Sequence, residues 1–261
     1  MARRQYPFTS EAAFARDETI IVVSTAGSDT TGYGSWTSPV ATLTKALSLA
    51  TATRATIFML PGEYAEATMI DWPDISGLSV IGMGSVTITN ADASAAVIDI
   101  HPTYTAASMS ISMKDITIAA DTQIGLQIDN EHMTKKLNIY LDGVNIEDNT
   151  SGGGSSDSIS MANSTATQAI RIYAKNCSFE LLVHITTANA GGRYRFTNCD
   201  FLAGATTAGA VAAEFTFLNC ISNAAITKGS ETPYFTNKGC IYRTDADPAV
   251  YSDWADSAAS A

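Results

Sequence analysis

The sequence lacks any long apolar segment, and it is poor in charge, above all in positive charge. No window approaches the roughly 18 consecutive apolar residues of a membrane span, and the opening 18 residues contain no apolar core of a secretory signal. The chain has 15 basic and 26 acidic residues, a formal net charge of −11. Because the electrostatic field of a negatively charged chain repels phosphate backbones and anionic bilayers, we expect neither nucleic acid nor a membrane as a partner.

Cysteine is also scarce, but its placement is regular. Hydrophobic residues make up 46% of the 261 residues and charged residues 16%, so a packed core is expected and one all-β domain of this length is feasible. The 4 cysteines follow one another at intervals of 20 to 22 residues, within the similar segments YAKNCSF, RFTNCDF and TFLNCIS and then at a fourth site. They are Cys177, Cys199, Cys220 and Cys240.

The cysteines belong to a longer repeat. Each one follows an asparagine or glycine, residue types that tolerate the left-handed backbone of a tight bend. The same pattern occurs earlier without cysteine, where Asp115 precedes Ile116 and Gly143 precedes Val144. Short segments with alternating apolar residues lie between these bends. We predict three short parallel strands per 20 to 33 residues, wound as a coil whose cysteines fill one interior column.

This geometry argues against a chemical role for the thiols. A zinc ion binds sulfur at about 2.3 Å, whereas four side chains in one column of stacked strands span on the order of 14 Å. Neighbouring side chains that project in parallel also have a poor torsion for a disulfide. We therefore expect reduced thiols that serve as core residues, with no metal and no cofactor.

A stack of such coils exposes the apolar interior of its end coil to solvent, so we expect a lid there. The segment TSPVATLTKALSLATA predicts an amphipathic capping helix, with Ser38 as N-cap and Pro39 in the first turn. We divide the chain into an N-terminal arm over 1–18, a first strand with the capping helix over 19–54, a parallel β-helix over 55–243 and a C-terminal tail over 244–261.

Three segments near the N-terminus resemble a known family: GSDTTGYGSWTSPVATLTKALSLA, IFMLPGEYAEATM and LSVIGMGSVTI. They resemble the first coils of right-handed parallel β-helix proteins of the pectin-lyase-like superfamily, and the periodic strands extend the likeness to about residue 243. The resemblance implies an all-β, single-chain right-handed parallel β-helix. It is weak for function, because the same fold hosts lyases, hydrolases, esterases, epimerases, adhesins and phage tailspikes.

Enzymes of that superfamily place carboxylates on the outer face of one sheet. If the pairs Ile98/Ile100, Leu126/Ile128, Ile159/Met161 and Val183/Ile185 face inward, the outer column is Asp99, Gln127, Ser160 and His184. Asp99 and His184 would then be on the order of 14 Å apart, too far to share a proton. Asp129 lies diagonal to Asp99 and is a weak candidate for a second carboxylate. Three arginines, Arg171, Arg193 and Arg195, should cluster on the surface, where an acidic partner could bind.

We therefore expect no catalytic residues and a structural role. The main hypothesis is a bacteriophage virion protein, made in the host cytoplasm: a capsid decoration (cement) protein, forming a homotrimer and binding the major capsid protein or another virion protein. The terminal arms are the candidate partner-binding residues: Arg3, Arg4, Tyr6, Phe8, Phe14, Tyr251 and Trp254. The alternatives are a polysaccharide-active lyase or glycoside hydrolase, and a tailspike-like adhesin that binds surface glycans.

Overall fold

Parallel β-strands account for nearly all regular structure in the molecule. The computed structural model describes residues 19–92, 96–102, 108–120, 124–128, 136–148, 157–161, 170–185, 192–207, 213–224, 226–228, 234–244 and 247–252. In these ranges the strands form three sheets, which we name A, B and C. No helix within the same ranges has the length and apolar character needed to cross a membrane.

Sheet A contains nine parallel strands in the order β1-β2-β5-β8-β11-β14-β17-β20-β23. Their bounds are β1 Ile20–Val23, β2 Thr56–Met59, β5 Leu78–Gly82, β8 Met109–Lys114, β11 Leu137–Asp142, β14 Ile170–Lys175, β17 Arg193–Thr197, β20 Glu214–Leu218 and β23 Tyr234–Lys238.

Sheets B and C complete each coil. Sheet B holds β3 Gly62–Glu66, β6 Val86–Asn90, β9 Thr117–Ala120, β12 Asn145–Asp148, β15 Ser178–Phe179, β18 Asp200–Phe201, β21 Ile221–Ser222, β24 Ile241–Thr244 and β25 Asp247–Ser252. Sheet C holds β4 Ile70–Asp71, β7 Ile98–Ile100, β10 Leu126–Ile128, β13 Asp157–Met161, β16 Leu182–Ile185, β19 Ala205–Thr207 and β22 Ile226–Lys228. From β2 to β24 the chain visits A, B and C in turn, which confirms the predicted parallel β-helix. The last pair, β24 with β25, is antiparallel.

The bend between sheets A and B is a column of left-handed residues, as the repeat predicts. Asp115, Asn176, Asn198 and Asn219 have φ angles of 51° to 54°, and Gly143 and Gly239 continue the column at 66° and 64°. The asparagine side chains also bond to each other along the stack. The Asn198 amide donates to the Asn176 side-chain oxygen at 3.3 Å, and the Asn219 amide to that of Asn198 at 3.5 Å.

The cysteine column is confirmed, and it continues towards the N-terminal coils through Val144 and Ile116. The residue after each column member donates its backbone N–H to the carbonyl of the preceding member, as in Asp200 to Cys177 and Ile221 to Cys199, both at 2.9 Å. All four cysteines are buried and free. The cysteines are 0% to 7% exposed. Because a buried thiol behaves as a small apolar side chain, the column is core packing.

The predicted inward pairs of sheet C are also correct. Leu126 lies between Ile98 and Ile159 in register, and Met161 lies beside Ile185. Towards the C-terminal coils the interior becomes aromatic. The rings of Tyr194 and Phe215 stack at 4.7 Å, and those of Phe196 and Phe217 stack at 5.2 Å.

The helix predicted within residues 19–54 begins later than expected. Helix α1 spans Leu43–Leu49, and Thr42 is its N-cap, accepting from the Lys45 amide at 3.0 Å. Ser38 and Pro39 are outside the helix because Val40 joins β1 instead, accepting from Ser24 at 2.9 Å and donating to Val22 at 3.1 Å. The N-cap prediction of Ser38 was therefore wrong.

A buried carboxylate holds the start of α1 against the first coil. Glu66, only 1% exposed, accepts from the backbone amides of Leu43 at 2.6 Å and Thr44 at 3.3 Å. Asp29 accepts from the Ala41 amide at 2.7 Å. Two acids from separate parts of the chain thus satisfy amide donors at the start of the helix.

Candidate functional site

Most of the predicted partner-binding residues lie outside the described residues. This applies to Arg3, Arg4, Tyr6, Phe8 and Phe14 of the N-terminal arm and to Trp254 of the tail. Tyr251 lies in β25, but only its backbone position is described. Their roles stay predictions.

The predicted outer column of sheet C is in register as expected. Asp99 pairs with Gln127, Gln127 with Ser160, and Ser160 with His184. The structure adds Asp71, which pairs directly with Asp99. Asp99 is only 6% exposed, so this part of the column is not an open face. Asp129, the predicted second carboxylate, lies outside the described residues.

His184 has a carboxylate partner that the sequence analysis missed. Its Nδ1 lies 3.2 Å from Oδ2 of Asp157. The register shifts between Asp157 and Ile159, so that Ser158 is an extra, fully buried residue whose hydroxyl accepts from the Leu181 amide at 3.0 Å. Because of this bulge, Asp157 departs from simple alternation with Ile159 and Met161. Alternation alone would place its side chain on the inner face of the sheet.

The Asp157–His184 pair is an incomplete catalytic arrangement. A histidine oriented by a carboxylate serves as a base only when a nucleophile or a substrate proton lies within hydrogen-bond reach. Ser160 lies beside His184 in register but is only 7% exposed. No hydrogen bond joins those two side chains, and in the described ranges no cluster of His, Cys, Asp or Glu is placed to hold a metal ion.

The most distinctive outer surface is on sheet A. Tyr140 and Tyr173, neighbours in register, stack at 5.1 Å with an interplanar angle of 12°. Arg195 follows Tyr173 in the same row. We name this surface the Tyr–Arg face and define it by Tyr140, Arg171, Tyr173, Lys175, Arg193, Arg195 and Lys238.

The three predicted arginines meet on this face. Arg171 pairs in register with Arg193, and Arg193 forms an ion pair with Glu214 at 3.1 Å. A groove of about 540 Å³ runs beside them and is lined by Tyr173, Arg195, Thr216 and Lys238 among others. A shallower depression of about 310 Å³ continues it past Tyr140 and Lys175.

The charge of the face is opposite to that of the whole chain. The two depressions together are lined by the cations Lys175, Arg193, Arg195 and Lys238 and by the acids Asp142 and Glu214. Glu214 forms an ion pair with Arg193, and Asp142 accepts a hydrogen bond from the side-chain amide of Asn176 at 3.0 Å. Within the described ranges no ion pair engages Lys175, Arg195 or Lys238. This excess of cations on a chain of net charge −11 fits an acidic partner.

The tyrosine pair had a detectable sequence signal. Tyr140 and Tyr173 occupy the same position in NIYLDG and RIYAKN, three residues before the left-handed bend. Aligning the coils on their bends places the two rings one above the other, at the spacing of adjacent strands.

Comparison with known proteins identifies the family. Residues 25–180 match the model of the family described as "Protein of unknown function (DUF1565)". No curated protein and no solved structure matches the chain. Since the match covers more than half of the 261 residues, the chain belongs to the DUF1565 family.

Proposed function

We propose that this protein is a non-enzymatic structural and interaction protein whose coil presents the Tyr–Arg face to an acidic protein surface. The observation that carries the proposal is the stacked Tyr140–Tyr173 pair beside Arg195, in a groove with an excess of cations. Tyrosine and arginine are the residue types that dominate binding energy at protein interfaces.

The proposed setting is a bacteriophage virion. There the protein would act as a capsid decoration (cement) protein, a homotrimer bound to the major capsid protein or another virion protein, with its terminal arms adding contacts. We further propose that α1 acts as a lid, because its buried face contacts the strands of the first coil. We expect the coil to be right-handed, since crossovers between parallel strands almost always are.

The test measures binding to phage particles stripped of their outer proteins, by sedimentation and electron microscopy. The double variant Tyr173→Ala/Arg195→Ala should weaken binding at least about tenfold, since loss of one interface anchor typically costs more than 1.4 kcal/mol. Tyr33→Ala is the matched control, because Tyr33 is 76% exposed and distant in the stack from the face. Absence of wild-type binding to any particle contradicts the virion role; equal binding by the double variant contradicts the assignment of the face.

A polysaccharide-active enzyme is the second candidate, favoured by two observations on sheet C. Asp71 and Asp99 are direct neighbours, and His184 is held by Asp157. A glycosidase requires two carboxylates that flank the substrate, but Asp99 is almost fully buried. Incubation with acidic and bacterial surface polysaccharides tests this function. Product release that Asp99→Asn or Asp157→Asn abolishes would establish the enzyme, whereas glycan binding without product would indicate an adhesin.

A further inference from the structure

A strip on the outside of sheet B has the opposite charge to the Tyr–Arg face. Strands β12, β15, β18 and β21 contain no lysine or arginine. The outer side chains in and just after these strands include Glu147, Glu180 and Asp200, and no ion pair engages these three carboxylates in the part of the chain that the structure describes. We name this surface the acidic strip and define it by Glu147, Glu180, Asp200 and Leu202.

We propose that the acidic strip of one copy binds the Tyr–Arg face of a second copy of this chain. The inference rests on the proposed function, because it takes the Tyr–Arg face as a protein-binding surface and names the acidic surface that fits it. Each copy contacts one neighbour through sheet A and another through sheet B. Such a head-to-tail contact builds closed rings, of which the proposed homotrimer is one.

The acidic strip holds like charges side by side. Ile146 pairs in register with Phe179, so the residues that follow them, Glu147 and Glu180, are neighbours in one outer row, about 4.8 Å apart. Like charges in directly opposite positions of a sheet destabilise it. The Glu180 carboxylate accepts from the Asp148 backbone amide at 3.0 Å, which fixes its position but does not neutralise it. A cation from outside the strip removes this repulsion.

The acidic strip and the Tyr–Arg face lie at the same height in the stack. β14 and β15 are consecutive strands of one coil, and β17 and β18 are consecutive strands of the next. Lys175 is therefore nearly level with Glu180, and Arg195 with Asp200. A rotation about an axis parallel to the stack leaves every coil at its height, so a ring of copies brings level residues together. The contact thus joins Lys175 to Glu180 and Arg195 to Asp200 through charge-assisted hydrogen bonds.

Apolar side chains lie among these charges on both surfaces. Leu202 is 41% exposed, and together with Asp200 and Ile221 it lines a depression of about 130 Å³. On the Tyr–Arg face, the ring of Tyr173 lies one coil, about 4.8 Å, from the level of Leu202. An apolar contact surrounded by polar and charged residues is the usual composition of a protein interface.

The charges also exclude symmetric contacts through either surface alone. Two Tyr–Arg faces brought together place cations against cations, and two acidic strips place carboxylates against carboxylates. Like charges placed against each other suppress such pairings. The heterologous contact, sheet A of one copy with sheet B of another, is the pairing that the charges favour.

Charge reversal tests the contact on the purified full chain, without any virus particle. Size-exclusion chromatography with light scattering measures the mass of wild type, Arg195→Glu, Asp200→Lys and the double variant Arg195→Glu/Asp200→Lys. The matched control is Glu63→Lys, because Glu63 is exposed on sheet B but lies on β3, three strands from β12 in that sheet.

We expect wild type to exceed the monomer mass at about 100 μM. Each single reversal places like charges at every contact, so it should weaken association at least about tenfold. The double variant exchanges the two charges and should regain association, and Glu63→Lys should keep the wild-type mass. Regained association also shows that the single variants failed through charge and not through misfolding.

Three results would overturn the proposal: a monomeric wild type, single variants that associate as well as wild type, or a double variant that associates no better than the single ones. The proposed function is tested separately, by binding to stripped particles. A wild-type protein that is monomeric yet binds particles through the Tyr–Arg face would overturn the contact between copies and leave the proposed function standing.

Discussion

Replacing Glu66 should destabilise the first coil far more than replacing its neighbour Glu63. Glu66 is 1% exposed and accepts two backbone hydrogen bonds from α1, at 2.6 and 3.3 Å. A hydrogen bond to a charged group contributes about 1.5–3 kcal/mol. Glu66→Ala removes both bonds and leaves the buried Leu43 amide unsatisfied, so we expect a loss of about 3–5 kcal/mol in the free energy of unfolding. Glu66→Gln keeps one acceptor oxygen, so we expect about half that loss.

Two measurements check this expectation. Denaturant unfolding gives the global change, and native-state hydrogen exchange reports the amides of Leu43 and Thr44 directly. Glu63→Ala is the matched control, since Glu63 lies on the same strand but is exposed. Equal stability of Glu66→Ala and Glu63→Ala would contradict a stabilising role for the Glu66 carboxylate. Unchanged exchange of the Leu43 and Thr44 amides in Glu66→Ala would contradict it as well.

Two further predictions concern the repeat and the core. At the bend, Asn198 has a φ angle of 52°, a left-handed conformation that is sterically unfavourable for alanine. Asn198→Ala should therefore lose about 1–2 kcal/mol of stability in denaturant unfolding, whereas Asn198→Gly should lose less because glycine adopts this conformation without steric strain. Equal losses would contradict the role of the left-handed backbone. In the core, burial raises the pKa of Tyr194, so the tyrosine ionises first in the unfolded chain and stability should fall as the pH rises above about 10. Tyr194→Phe should show a shallower fall in unfolding free energy over that range, and an identical pH profile would refute the assignment.

The coil was predictable because its columns depend on local sequence. Each coil has to bend between sheets A and B, and a left-handed residue is needed at that bend each time, so asparagine, aspartate or glycine recurs there. Once Asn176, Asn198 and Asn219 are aligned, the cysteine column follows without further information. The inward pairs of sheet C are predictable for a similar reason, since alternation fixes which side chains face the core.

The start of α1 and the partner of His184 were not predictable, because both depend on contacts between distant parts of the chain. Ser38 has the right local sequence for an N-cap, but the bonds of Val40 to β1 exclude that stretch from the helix. Asp157 reaches His184 only because Ser158 is an extra residue in its strand. Nothing in the alternation of DSISM indicates such a bulge.

The geometry of a stacked coil determines which outer surfaces can bind and which can catalyse. In a regular stack each outer row contributes one side chain per coil, about 4.8 Å from the next. Such a row forms a flat strip, which suits binding, and the 5.1 Å stack of Tyr140 and Tyr173 is a direct product of that spacing. Catalysis instead requires side chains from different rows to converge within hydrogen-bond distance. In the described residues of sheet C, the Ser158 bulge brings Asp157 to His184 and produces such a convergence. If this chain has an enzymatic activity, its catalytic groups should therefore be sought at that bulge, while the regular rows of the Tyr–Arg face remain the place to look for a partner.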